Sequence, residues 1–154
     1  MLTYKTSEDF IKMSKAGKVV SNIHYEIYQN TKPGMKLKEL DDIAKKIIEK
    51  SNVESSFLGY PQPGTIDFPG HICASPNEVI VHGIPNEYVV QDGDILSIDA
   101  GVIYQGYHAD AAFTFGIGEV SEKDKELMKI TKYALNEGIN LVQDGQKLGT
   151  IGHR

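Results

Sequence analysis

The sequence predicts an α+β domain in which an antiparallel sheet is covered by helices on one face. Two segments with apolar residues at helical spacing come first, and short apolar runs separated by turns follow them. The last two of these runs are joined by a very short turn, as in a hairpin. The chain has 154 residues, of which 40% are hydrophobic and 24% charged, and this composition is sufficient for one domain with a core.

The first two helices are predicted from their apolar spacing and from the residues at their ends. The first should span 7–31, because Thr6 and Asp9 have the spacing of a capping box and the segment ends before Pro33. The second should span 36–50, where leucine and isoleucine recur on one side.

Short strands are predicted next, at 53–57, 71–75 and 78–82. Residues 59–70 contain three prolines and three glycines, and we expect a long loop there, of the kind that often carries function. Longer strands are expected at 94–103 and 107–115, on either side of Gly106. A third helix, at 121–142, should begin at Ser121, since Asp124 follows three residues later.

A short internal similarity predicts two structural repeats. GMKL at 34–37 and GQKL at 145–148 are separated by 111 residues, and each leads from one helical segment into the next. We therefore expect a first repeat over 1–118 and the start of a second, truncated repeat over 119–154. Chance similarity between two turns that begin helices is the alternative.

The hairpin carries two carboxylates that a strand would not ordinarily select, Asp99 and Asp110. A two-residue turn at either Gln105-Gly106 or Tyr104-Gln105 places both on one face, whereas a three-residue turn would separate them. Their neighbours on that face are small, which suggests the floor of a pocket that holds a divalent cation or a shared proton. The alternative is a solvent-facing hairpin with two acids of no special role.

His82 is the second candidate. It ends the expected strand 78–82 and is followed by Gly-Ile-Pro, a turn. A histidine there can donate a hydrogen bond, bind a metal or act as an acid or base near neutral pH. A purely structural role is the alternative.

Composition also excludes several classes of partner. The net charge of −5, without a basic cluster, excludes the positive field that nucleic acid or an anionic membrane surface requires. No apolar run approaches the roughly 20 residues of a membrane span, and the first residues do not resemble a signal peptide. The single cysteine, Cys73, cannot form an internal disulfide, so we expect a cytoplasmic protein.

The motifs taken together resemble those of the bacterial type I methionine aminopeptidases. The segments that carry the resemblance are 7-SEDFIKMSKAGKVV-20, 58-LGYP-61, 80-IVHGIP-85, 92-DGDILSIDAG-101 and 106-GYHADAAFTF-115. The resemblance implies the pita-bread fold, in which two α/β halves related by a pseudo-twofold axis close over a dinuclear metal site. This chain would correspond to the N-terminal half. A proline-specific relative such as prolidase fits the HGIP context less well.

The resemblance also implies roles for individual residues. Asp99 matches an aspartate that chelates one metal ion, and Asp110 matches the aspartate that bridges two. His82 matches the catalytic histidine that contacts the substrate near the reacting peptide group. Tyr60 and Cys73 match positions that line the pocket for the methionine side chain.

One further position matches the family, and others depart from it. His108 matches a position beside the bridging aspartate. Phe57 falls where the family often has a small residue, and the loop 61–70 is longer than usual. The family's remaining ligands, a histidine and two glutamates, have no counterpart here. His153 is rejected as that histidine, because the repeat offset places it opposite a helical position.

The implied activity is metal-dependent removal of the N-terminal methionine from nascent proteins. The complete family site holds two divalent ions (Co, Mn, Fe or Zn), and with two carboxylates alone we expect weak or partial binding. The chain would then be an inactive half, an enzyme completed by another chain, or a non-catalytic interaction module. Apolar surface left uncovered predicts self-association.

Overall fold

The computed structural model describes residues 3–154 and shows four helices and four strands within that range. They are α1 Ser7–Asn30, α2 Leu37–Ser51, β1 Glu54–Ser55, β2 Ile72–Pro76, β3 Ile95–Tyr104, β4 Tyr107–Gly116, α3 Glu122–Asn140 and α4 Leu148–His153. The chain divides into two compact units, Met1–Glu119 and Val120–Arg154. The first unit carries the whole sheet.

The helix starts follow the capping signals in the sequence. At α1, the Asp9 amide donates to the Thr6 hydroxyl (3.3 Å) and the Thr6 amide donates to the Asp9 carboxylate (2.7 Å). This reciprocal pair satisfies N–H groups that have no partner inside the helix. At α3, the Asp124 amide donates to the hydroxyl of Ser121 (3.2 Å).

β3 is the centre of an antiparallel sheet. It pairs with β4 along one edge, and with β2 and then β1 along the other. The turn to β4 is Gln105-Gly106, with left-handed φ values of 50° and 81°. Such φ values are those of the tight turns that match the twist of a hairpin. Gly101 therefore lies opposite Asp110, and Asp99 lies opposite Ala112.

One face of this sheet forms the core with α1 and α2. Alternate residues of β3 are fully buried in it, namely Leu96, Ile98, Ala100 and Val102. The helices contribute Ala16, Val20, Ile23 and Ile27 from α1, and Leu37, Leu40, Ala44 and Ile48 from α2. Because side chains alternate along a strand, the carboxylates point to the opposite face.

The predicted strand at 78–82 is wrong. Residues 77–87 form no strand, because the backbone is left-handed at Asn77 (φ 50°) and at His82 (φ 57°). The Val79 amide donates to the Pro76 carbonyl, which closes a turn directly after β2. The apolar residues that suggested a strand are instead exposed in a loop, with Ile80 87% exposed.

The long loop predicted at 59–70 is confirmed, since none of its residues is in a helix or strand. Its ends are held together because the Gly59 amide donates to the Phe68 carbonyl and the Phe68 amide donates to the Tyr60 carbonyl. Over residues 3–154, the helices are all too short or too polar to cross a bilayer.

The second unit consists of α3 and α4. No residue of α3 is buried, and the Ile151 side chain of α4 lies near Gly138. The turn before α4 has the geometry of the turn before α2. Gly34 and Gly145 have φ of 94° and 83°, and the helices then begin at Leu37 and Leu148.

Candidate metal centre

The candidate site is built on the sheet face that turns away from the helices. Residues that lie opposite each other on paired strands share a face. Cys73 lies opposite Asp99, and Gly101 lies opposite Asp110. The pairing therefore places both carboxylates and the thiol on one surface. Serine and threonine hydroxyls continue this face toward the start of β3, where Ser97 Oγ and Thr114 Oγ1 are 2.7 Å apart.

Gly101 provides the space between Asp110 and the aromatic residue Phe57. A Cβ at position 101 would lie 2.9 Å from Asp110 Oδ2 and 2.9 Å from Phe57 Cε1. Both distances are too short for real contacts, so only glycine lets the carboxylate and the ring approach the strand this closely. The Phe57 ring also meets Phe68 edge-on at 6.4 Å, which gives the carboxylates an aromatic wall on one side.

Asp99 has the strongest signature of a cation ligand. Its Oδ1 is buried and has no hydrogen-bond partner among residues 3–154. Burial raises the pKa of Asp99, the charge of Asp110 raises it further, and the charge of His82 opposes them. An unpartnered carboxylate oxygen beside a second carboxylate is stabilised by a cation. These two residues therefore fit a divalent metal ion.

Cys73 provides a small buried surface beside the carboxylates. Its side chain is buried, and this burial, together with the charges of Asp99 and Asp110, raises the thiol pKa to about 11. The thiol is thus protonated near neutral pH and is a poor nucleophile.

The other predicted site residues lie at the edges of this face. His82 is exposed in its loop, and its positive charge when protonated would lower the pKa of Asp99. His108 lies two positions before Asp110 on β4, and its Nδ1 is 3.0 Å from Ser56 Oγ. Tyr60 belongs to the long loop and is 64% exposed.

Ser56 was not a candidate from the sequence. It follows β1, its amide donates to the Gly101 carbonyl (3.0 Å), and its hydroxyl contacts His108. The contact joins residues 52 positions apart, so neither spacing nor composition signals it. Ser56 connects the loop that carries Phe57 to the strand that carries the candidate ligands.

The described ligands do not complete a metal site. Within residues 3–154, no three histidine, cysteine, aspartate or glutamate side chains are placed to hold an ion together. Protein sites for divalent transition metals ordinarily use at least three protein ligands. Asp99 and Asp110 alone therefore do not complete such a site.

Comparison with known proteins identifies the class of protein to which this fold and its candidate site belong. The chain belongs to metallopeptidase family M24, whose sequence profile matches residues 11–154. It is 41% identical over 153 residues to methionine aminopeptidase 1 of Bacillus subtilis, covering 99% of this chain and 60% of that protein.

Solved structures agree with this assignment. The methionine aminopeptidase of Thermotoga maritima superposes with a TM-score of 0.93 at 35% identity, and that of Rickettsia prowazekii with 0.93 at 37%. Each match covers 99% of this chain and 60% of the other. The predicted pita-bread fold and the family resemblance are thereby confirmed, and the chain spans three-fifths of the length of these relatives.

Proposed function

We propose that this chain contributes to a metal-dependent aminopeptidase that removes N-terminal methionine from nascent proteins in the cytoplasm. The observation that carries the proposal is the Oδ1 of Asp99, which is buried next to Asp110 and has no hydrogen-bond partner within residues 3–154. Membership of a metallopeptidase family supports it, as does similarity to methionine aminopeptidases along nearly the whole chain.

Asp99 and Asp110 would hold the metal through their carboxylate oxygens. Divalent ions in such a site supply Lewis-acid polarisation of a carbonyl and acidify water. Cobalt, manganese, iron and zinc all accept carboxylate ligands, so these two residues do not select among them. His108, held by Ser56, would keep the strand around Asp110 in place.

The neighbouring side chains would bind and orient the peptide. His82 would donate a hydrogen bond to the substrate near the scissile peptide bond. Cys73 and Tyr60 would line the pocket for the methionine side chain, and the protonated thiol of Cys73 would add no charge to it. The aromatic wall of Phe57 would limit the pocket on the Asp110 side.

Two carboxylates alone should bind metal weakly. We propose that the complete site needs further ligands, and a general base, in addition to the residues described here. Association with another chain is one way to supply them.

The test is metal binding and methionyl-peptide hydrolysis by this chain and by Asp99→Ala. Mn²⁺ affinity is measured by calorimetry, and hydrolysis is measured with added Mn²⁺ or Co²⁺. Asp144→Ala is the matched control, because Asp144 is an exposed aspartate in the second unit.

The proposal expects Mn²⁺ binding that Asp99→Ala weakens and Asp144→Ala leaves intact. Turnover that Asp99→Ala abolishes would show that the chain is active. Binding without turnover would indicate a partial site. Equal Mn²⁺ binding by all three proteins would contradict the proposal and favour a non-catalytic module.

A further inference from the structure

The loop that carries His82, residues 77–83, borders a cavity on one side and exposes its middle residues to solvent on the other. A cavity of about 250 Å³ lies beneath it. The lining includes Leu37, Ala74, Val79, Gly83, Ile84 and Tyr88. The middle of the loop faces solvent, with Ile80 87% and Val81 64% exposed. Its conformation must therefore depend on the hydrogen bonds at its two ends.

Asn77 holds the first end to β3. Its amide donates to the Ile95 carbonyl (2.9 Å), and its side-chain Oδ1 accepts from the Ile95 amide (3.1 Å). The left-handed backbone at Asn77 is a conformation that asparagine tolerates better than most residues. Asn77 thus attaches the beginning of the loop to the start of β3.

Asp94 holds Asn77 in turn. It is 8% exposed and accepts hydrogen bonds from Asn77 Nδ2 (2.9 Å), from the Tyr88 hydroxyl (2.9 Å) and from the Gln91 amide (2.8 Å). Hydrogen bonds to an ionised acceptor are stronger than neutral ones, and a buried carboxylate depends on all of them. This cluster joins the residues before and after the loop to the start of β3.

Gly83 holds the second end to β2. Its amide donates to Ser75 Oγ (3.1 Å), and its carbonyl accepts from the Ala74 amide (2.8 Å). A Cβ at position 83 would lie 2.3 Å from the Ala74 carbonyl oxygen, so the approach requires glycine. His82 is the residue immediately before this attachment.

We propose that Asn77, Asp94 and Tyr88 are positioning residues that set the place of His82 relative to Asp99. Asp94 comes directly before β3, and Asp99 lies within β3. One strand therefore anchors the loop at its start and carries the candidate ligand in its middle. The substrate contact of His82 rests on the proposed function, whereas its positioning does not.

The test uses Asp94→Asn, which keeps the size of the side chain but removes the charge. Two quantities are measured by NMR at one fixed pH without metal. The first is the hydrogen-exchange rate of the Val79 and Gly83 amides. The second is the change in the His82 ring signal when Asp99→Asn is added, which reports whether the ring senses that carboxylate.

In Asp94→Asn, we expect these two amides to exchange roughly tenfold faster, because a hydrogen bond to a buried charge is lost. Adding Asp99→Asn should then change the His82 ring signal less in the Asp94→Asn protein than in the unmodified protein. Tyr88→Phe removes one hydrogen-bond donor to Asp94 and keeps the ring, so it should change the exchange rates and the His82 response in the same direction but less. This variant also tests the inference if Asp94→Asn does not fold.

Asp41→Asn is the matched control. Asp41 is a part-buried carboxylate that accepts from the His71 amide (2.6 Å) and the Ile72 amide (3.0 Å), and these bonds attach α2 to β2 without involving the loop. This variant should lower global stability. After correction for that loss, it should leave the loop amides and the His82 response unchanged.

Two results would overturn the inference. One is unchanged exchange and an unchanged His82 response in both Asp94→Asn and Tyr88→Phe. The other is an equal change in Asp41→Asn, which would show a general loss of stability. Since no metal or peptide is used, failure of the aminopeptidase proposal would not alter either result.

Discussion

At the scale of single residues, the metal binding that we propose for Asp99 would oppose the stability of the metal-free protein. A carboxyl whose pKa is raised in the fold contributes stability below about pH 3.9 and loses it as the pH rises through the folded-state pKa. Once ionised, Asp99 therefore weakens the metal-free protein. Residues at functional sites commonly carry such a cost.

We predict that Asp99→Asn raises the midpoint of thermal unfolding near pH 7 in the presence of a chelator. The neutral amide removes the repulsion from Asp110 and the cost of a buried charge. Its Mn²⁺ affinity should fall by roughly tenfold or more, since a charged ligand is lost. Calorimetry with Asp144→Asn as control checks both effects, and an unchanged or lower midpoint would contradict the first.

Gly101→Ala should disturb the site through sterics alone. The new methyl group would lie 2.9 Å from both Asp110 Oδ2 and Phe57 Cε1, so one of them must move. We expect a loss of about 1–3 kcal/mol in the free energy of unfolding, with weaker Mn²⁺ binding.

Gly17→Ala is the control for that substitution. Gly17 lies in α1 with nothing near the position of the added Cβ, so alanine there should stabilise the helix and leave metal binding unchanged. Urea unfolding and calorimetry compare the two variants. Equal Mn²⁺ affinity in both would show that Gly101 does not shape the site.

At the scale of elements, the contact between α1 and β4 contains a polar group, the imidazole of His24. His24 of α1 packs its ring 4.7 Å from that of Phe113, and its Nε2 is buried without a partner in the described part of the chain. Burial lowers the pKa of His24. The imidazole is accordingly neutral in the folded protein near neutral pH.

This contact predicts destabilisation by acid. The lowered pKa means that the unfolded chain binds the proton more readily, so the free energy of unfolding should fall as the pH drops below about 6.5. His24→Leu should reduce this pH dependence, because leucine does not titrate. Urea unfolding at about pH 7.5 and about pH 5.5 measures it, and the exposed His153→Asn should leave it unchanged.

The helices and the hairpin were predictable because their signals are local. The spacing of Thr6 and Asp9 starts α1, and glycine at position 106 permits the two-residue turn. The segment 78–82 was misassigned because its apolar residues imitate a strand. The left-handed backbone at its two ends is held by residues outside it.

At the scale of the whole molecule, both units expose apolar side chains. In the first, Ile66, Ile80 and Val81 are 69%, 87% and 64% exposed. In the second, the exposed residues of α3 include Leu127, Ile130, Tyr133, Leu135 and Ile139. Large apolar side chains that are exposed close together are typical of an interface. We propose that it drives self-association or contact with another chain.

Self-association should therefore depend on concentration and on the apolar residues of α3. We predict that Ile130→Lys shifts the sedimentation profile toward the monomer and reduces binding of an apolar dye. Lys129→Glu changes charge on the same helix without changing apolar area, and it should leave the profile as it is. A clean monomer at all concentrations would contradict the proposal.

The internal repeat remains a proposal, with matching turns in its favour. Both turns contain a left-handed glycine followed by a helix that starts three residues later, at Leu37 and at Leu148. The division of the chain at Glu119 is compatible with repeats over 1–118 and 119–154. Superposing the two proposed repeats in a longer homologue would test whether they share one fold.

The sequence by itself determined the first three helices, the two long strands of the hairpin and the apolar face of the sheet, and it identified two carboxylates in the hairpin. These follow from period-2 and helical spacing, which are properties of neighbouring residues. It left open two positions for a two-residue turn, and also a three-residue turn that would separate the carboxylates. The tertiary structure selected the register with Gly101 opposite Asp110.

Only the tertiary structure decided which polar atoms are partnered. Examples are the bonds of Asp94 to Asn77 and Tyr88 and the contact of Ser56 with His108. Another is the burial of Asp99 Oδ1 with no partner in the described part of the chain. Folding brings these groups together from distant positions in the chain, and local sequence patterns do not specify which distant residues will meet.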